Sequence, residues 1–143
     1  MNDSEFIRNV AEQLKVDEGY KGFMYKDSEG KTTIGYGHNL DDIGFPQRLA
    51  ELVLYYDLKE TIREVRREFL WFKDMPESKQ EVVVNMAFNV GMSSIRGFKR
   101  MLFALSKHDY LSAAKEMIDS KWYTQVGQRA RRLVSIMSDG RLS

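Results

Sequence analysis

The sequence contains no cysteine and only two prolines in 143 residues. Without thiols there is no disulfide framework, no thiolate nucleophile and no thiolate metal site. Core packing alone must hold the fold, which a reducing cytosol permits. No apolar run approaches the roughly 18 residues that span a bilayer. The opening Met1-Asn2-Asp3-Ser4-Glu5 is acidic and polar where a secretory signal is basic and then apolar. These absences lead us to expect neither a leader nor a membrane anchor. Low-complexity tracts and internal repeats are missing too.

What is present suits one globular domain, or two small lobes sharing a core. The net charge of +1 conceals an asymmetry. Residues 1–45 carry five basic and nine acidic side chains, and residues 46–143 carry seventeen and twelve. A basic patch recruits any polyanion, so charge alone does not choose between nucleic acid and a cell-envelope polymer.

The patterning predicts a helix over Ser4 to Asp17, with Phe6, Val10 and Leu14 on one face and Gly19 ending it. A hairpin follows: Phe23 to Asp27 outward, Ser28-Glu29-Gly30 as the turn, Lys31 to His38 returning. Asn39 to Phe45 reads as a loop with room for a third short strand. Pro46 opens a helix running to Phe69, whose apolar stripe changes face partway. Leu49, Leu52, Val53 and Tyr56 lie on one side; Leu58, Ile62, Val65 and Phe69 lie nearly opposite. Such a helix suits a linker between lobes, the alternative being two helices with a break near Asp57. Glu77 to Val90 is apolar nearly all round, as the buried centre of a bundle is. Further helices are predicted over Ser94 to Ser106, Tyr110 to Ser120 and Gln128 to Ser138. The expected fold is α+β: a hairpin lobe (1–45), a linking helix (46–70) and a helical lobe (71–143).

Glu18, Asp27 and Thr33 converge where a helix end meets the hairpin. Glycoside hydrolysis needs one carboxyl that donates a proton to the leaving oxygen and a second, ionised, that activates water or attacks. Glu18 lies at a helix C-terminus, where the dipole favours the protonated form. Asp27, at the exposed end of the hairpin, suits the ionised role, and Thr33 could help it hold a water. The plain alternative is that acids at helix ends and turns are merely solvated. Asn85 and Asn89, at i and i+4, project amides from one face of an apolar helix and need partners. Trp122 and Tyr123 read as core rather than as a ligand platform. Asp27-x-Glu29-Gly30 lacks the later acids of a calcium loop, and Gly35-x-Gly37 lacks the third glycine of a phosphate loop.

Three separated stretches narrow the choice. Asp17-Glu18-Gly19, Tyr25-Lys26-Asp27 and Thr33-Ile34-Gly35-Tyr36-Gly37-His38 resemble the active-site hairpin of the phage-type lysozymes, glycoside hydrolase family 24. Asn85-Met86-Ala87-Phe88-Asn89-Val90-Gly91 with Gly97-Phe98 is a second match. Ser120-Lys121-Trp122-Tyr123 with Arg129-Ala130-Arg131-Arg132 is a third.

The resemblance implies a lysozyme-like α+β fold with a sugar chain in a cleft between lobes. It implies Glu18 as general acid, Asp27 as general base, Thr33 as the water-positioning residue and an inverting cut. The bond is the β-1,4 link from N-acetylmuramic acid to N-acetylglucosamine in peptidoglycan. Asn39, Phe88 and Asn89 match positions that face the substrate. Arg129 matches an arginine beside the catalytic Glu, where a cation would favour the ionised form. By the same register Arg132 meets Asp17, Asn85 serves a core network, and His38 pairs with Asp57. No metal or organic cofactor, no nucleic-acid partner and a monomer are expected. The protein would be made in the host cytoplasm and reach the wall through a holin pore. Two departures stand out: a short segment between hairpin and long helix, and an end at Arg141-Leu142-Ser143 without the usual tail. The rival readings are a non-catalytic lysozyme-fold glycan-binding or structural protein, and a lytic transglycosylase, which needs no Asp27.

Overall fold

The computed structural model describes residues 2–142; Met1 and Ser143, which figure in the reading of the chain ends, lie outside the described residues. The chain forms two compact units, one up to Val53 and one from Leu54 on. The division falls inside a helix.

In the first unit, α1 (Asp3–Glu18) starts at Asn2, whose side chain accepts the Glu5 backbone N–H at 2.8 Å. It stops at Gly19, whose N–H returns to the Lys15 carbonyl at φ +71°. Val10 is half-buried, whereas Phe6 and Leu14 are exposed. A three-stranded antiparallel sheet follows in the order β1 (Lys21–Lys26), β2 (Thr32–Gly35), β3 (His38–Asn39). Tyr25 pairs with Thr33, and Thr33 in turn with Asn39, around an irregularity in β1 between Lys21 and Tyr25. The returning strand does not run on to His38 as expected. Gly35 and Gly37 both take positive φ, so the chain turns at Tyr36-Gly37 and His38 opens the third strand.

The helix after Pro46, α2 (Gln47–Glu68), is unbroken at Asp57. Its later half sends Val65 into the core of the second unit, while Leu52 and Tyr56 in its earlier half are exposed. A 3-10 turn (Leu70–Asp74) leads to α3 (Glu77–Val90). Val82, Val83, Met86 and Ala87 of α3 are buried, but Glu77, Ser78, Glu81, Phe88 and Asn89 are exposed. This helix therefore keeps a solvated side. After it come α4 (Met92–Ile95), α5 (Lys99–Ser106), α6 (Tyr110–Ile118), α7 (Lys121–Val126) and α8 (Gln128–Met137), with α4 and α8 packed against α3 and α6 packed against α5 and α8.

The single helix expected over Ser94 to Ser106 is thus two. At Gly97 a Cβ would come within 3.1 Å of the Ser94 carbonyl, so the chain passes through a tight turn there before α5. The core joins Val65, Met86, Ile95, Leu105, Met117, Trp122 and Met137, each aliphatic burial contributing about 1.5–3 kcal/mol. Among the described residues, one charged side chain is buried with them. Lys79 donates from Nζ to the Ile136 carbonyl and the Asp139 carboxylate, closing the C-terminal end of α8.

Candidate active site

The hairpin places Asp27 and Thr33 through one residue. The Oδ1 of Asp27 accepts the backbone N–H groups of Glu29 and Lys31, each at 2.9 Å. The Asp27 N–H meets the Lys31 carbonyl at 2.9 Å, and Gly30, at φ +79°, closes the turn onto the Asp27 carbonyl at 3.0 Å. Both side-chain hydrogen bonds fall on Oδ1; Oδ2 has no hydrogen-bond partner among the described residues. Thr33 is the one buried residue among those described in the first unit, and its hydroxyl donates to the Lys31 carbonyl at 2.9 Å. With its proton committed there, Oγ1 presents only lone pairs to any further partner.

Glu18 is the last residue of α1 and is exposed. Its carboxyl lies over Gly37. A Cβ built on that glycine would meet Oε2 at 3.1 Å and the carboxyl carbon at 3.3 Å. The second glycine of Gly35-x-Gly37-His38 is therefore fixed twice, by φ +81° and by the glutamate above it. Next to it, His38 Nε2 contacts the Gly44 carbonyl at 2.7 Å. A carbonyl only accepts, so Nε2 carries the proton. Asn39 is engaged at both ends by Asp42: its Nδ2 donates to Oδ2 and its Oδ1 accepts the Asp42 N–H, both at 3.0 Å.

The second unit assembles another group. Arg129 on α8 donates from Nε to the Asn85 Oδ1 at 2.8 Å and from Nη2 to the Asn85 carbonyl at 3.3 Å. The buried Trp122 donates from Nε1 to the Asn89 Oδ1 at 2.9 Å, and its ring meets Phe98 edge-on. Phe88 is 38% exposed on α3. Asp57 is exposed on the part of α2 that belongs to this unit. The spacing of Asn85 and Asn89 foretold two amides on one face, but not which donors they would take.

Sequence reasoning passed over Lys31, Asp41 and Asp42. Asp41 Oδ2 accepts the Thr32 N–H at 2.7 Å, and Lys31 Nζ meets Asp42 Oδ1 at 3.1 Å. The Thr32 N–H holds the Asp41 carboxyl below its ordinary value of 3.8, helped by Lys26 and Lys31. The one available signal was Asn39-x-x-Asp42, a spacing at which an Asn side chain can meet the backbone of a turn.

The family model for phage lysozyme matches residues 15–136. The chain belongs to the phage lysozyme family. It is accordingly a glycoside hydrolase with the α+β lysozyme fold, and peptidoglycan is the substrate class the family implies. The enzyme is similar to a probable T4-type lysozyme of Dictyostelium discoideum, 26% identical over 96% of this chain and 98% of the relative. It is also similar to the pre-baseplate central spike protein Gp5 of Enterobacteria phage T4, 29% identical over 94% of this chain but only 28% of that protein. An endolysin of Bacillus phage B103 is 29% identical over 85% of the chain and 46% of the relative.

Proposed function

We propose that the enzyme is a muramidase that hydrolyses the β-1,4 bond between N-acetylmuramic acid and N-acetylglucosamine with inversion. Glu18 donates its proton to the glycosidic oxygen as the bond from the anomeric carbon to that oxygen breaks. A water attacks the anomeric carbon from the opposite face, and Asp27 takes the proton that water sheds. Thr33 Oγ1 accepts one hydrogen of the water, which leaves the other for Asp27 and a lone pair for the attack. The observation that carries this reading is the shared anchor at Lys31. Its N–H holds Asp27 Oδ1 and its carbonyl takes the Thr33 proton, so Oδ2 and Oγ1 keep acceptor capacity.

Asn39, Phe88 and Asn89 are proposed to contact the sugars, with Asn85 orienting Arg129. The enzyme is taken to act as a monomer, made in the host cytoplasm and released to the wall through a holin pore. The relative named an endolysin supports that setting. The relative named a central spike protein supports a second one, a domain carried on a phage tail.

Digestion of purified peptidoglycan tests the reaction. Mass analysis should give new reducing ends, and NMR of the fresh products should show the anomer opposite to that of the bond cut. Anhydro-sugars would mean transglycosylation, and intact sacculi that retain the protein would mean a binding role.

A further inference from the structure

We propose that Asp41 and Asp42 are positioning residues, a pair of carboxylates in the β3–α2 loop that sets the geometry of Asp27 and Thr33 by clamping Lys31 and Thr32. The inference rests on the catalytic roles proposed above for Asp27 and Thr33.

Lys31 is the residue through which Asp27 and Thr33 are held, since its N–H and its carbonyl each bind one of them. What holds Lys31 and Thr32 is the loop. Asp42 takes the Lys31 ammonium at 3.1 Å, and Asp41 takes the Thr32 N–H at 2.7 Å. The Thr32 carbonyl accepts the Leu40 N–H at 2.8 Å, and Lys26 Nζ reaches the Thr32 hydroxyl at 2.6 Å. The polar groups of Thr32 are thus all engaged, two of them by the loop.

The loop is itself set by short-range bonds. Asn39 and Asp42 exchange two hydrogen bonds, and the Ile43 and Gly44 N–H groups return to the Asn39 and Leu40 carbonyls at 3.0 Å. Two carboxylates, adjacent in sequence, therefore grip two adjacent residues that lie between Asp27 and Thr33 in the hairpin.

Lys31 and Asp42 are both exposed to solvent, and exposed ion pairs add little to stability. Their use here is geometric. A small displacement of a base and a water-holding hydroxyl slows reaction far more than it weakens binding.

The test is steady-state kinetics on soluble peptidoglycan strands with Asp41→Ala, Asp41→Asn, Asp42→Ala and, as reference, Asp27→Ala. We expect kcat to fall on the order of tenfold in each loop Ala variant, with KM within about twofold. The melting temperature should stay within roughly 4 °C of wild type. Asp41→Asn keeps an acceptor for the Thr32 N–H and should recover most of kcat. Were Asp41→Ala not to fold, Asp42→Ala, which removes only an exposed partner of Lys31 and Asn39, answers the same question. Wild-type kcat in the folded Ala variants, or a loss that Asp41→Asn fails to recover, overturns the proposal. If Asp27→Ala is inactive while the loop variants are unimpaired, only the clamp is wrong. If Asp27→Ala remains active, the catalytic reading beneath it is wrong.

Discussion

The hydroxyl of Thr33 donates to the carbonyl of Lys31 at 2.9 Å, from a side chain that is 2% exposed. Thr33→Val keeps the shape but removes the bond. The Lys31 carbonyl still accepts the Asp27 N–H, so the cost in stability should be only about 0.5–1.5 kcal/mol. Loss of the acceptor at Oγ1 should lower kcat on the order of tenfold or more. Thr33→Ser should retain most of both. Urea midpoints and kcat on the same preparations separate the two effects.

Gly37 sits beneath Glu18, and its backbone lies at φ +81°. Gly37→Ala places a methyl group 3.1 Å from Oε2 in a conformation that costs an L-residue about 1–2 kcal/mol. We expect a melting temperature lower by several degrees and a carboxyl pushed off its seat, with kcat reduced more than KM is raised. Activity equal to wild type would show that the seat of Glu18 on Gly37 is unimportant for the reaction.

Asn89 accepts from a buried tryptophan while standing exposed itself. Asn89→Ala leaves the Trp122 Nε1 without its acceptor, at a cost of about 1–3 kcal/mol. The proposed contact with sugar adds a second consequence, a higher KM. Thermal melts and KM measured together distinguish a purely structural amide, which moves only the first.

Two carboxyls carry a pH dependence of defined sign. Asp41 is lowered first by the Thr32 backbone N–H, and Asp109 first by the Ser112 hydroxyl and then by its N–H. A folded value below the ordinary 3.8 means that each contribution is present above that pH. It is lost as pH falls through the lowered value. The gap in melting temperature between wild type and Asp41→Asn should therefore be constant near neutrality and close as the pH drops below about 4.

Local chemistry made much of this legible before any coordinates. Asn2 and Gly19 bound α1 to within one residue of the expected span, because caps are written in adjacent residues. The single helix read after Pro46 is what forms, and the alternative break near Asp57 is not found; no glycine or proline interrupts that stretch. The misses have physical reasons as well. Gly97 divides α4 from α5 because of a close approach to Ser94, which periodicity does not encode. The six residues of α7 are too few to show a period, although Ser120 caps the helix through the Tyr123 N–H and Gly127 ends it. Reaction chemistry and resemblance pointed to Glu18, Asp27 and Thr33 as candidates. The bonds of Asp41 and Asp42 to Thr32 and Lys31 were not legible, since they depend on where a loop lands after the strands have paired.

The central claim is tested most directly at Glu18. Glu18→Gln replaces an exposed carboxyl by an amide of the same size, so the variant should fold with a melting curve close to wild type. Release of soluble muropeptides by that variant, measured beside wild type at equal protein, is expected to be nearly abolished. Cleavage by the folded variant at a rate near wild type would contradict the assignment of Glu18 as the acid.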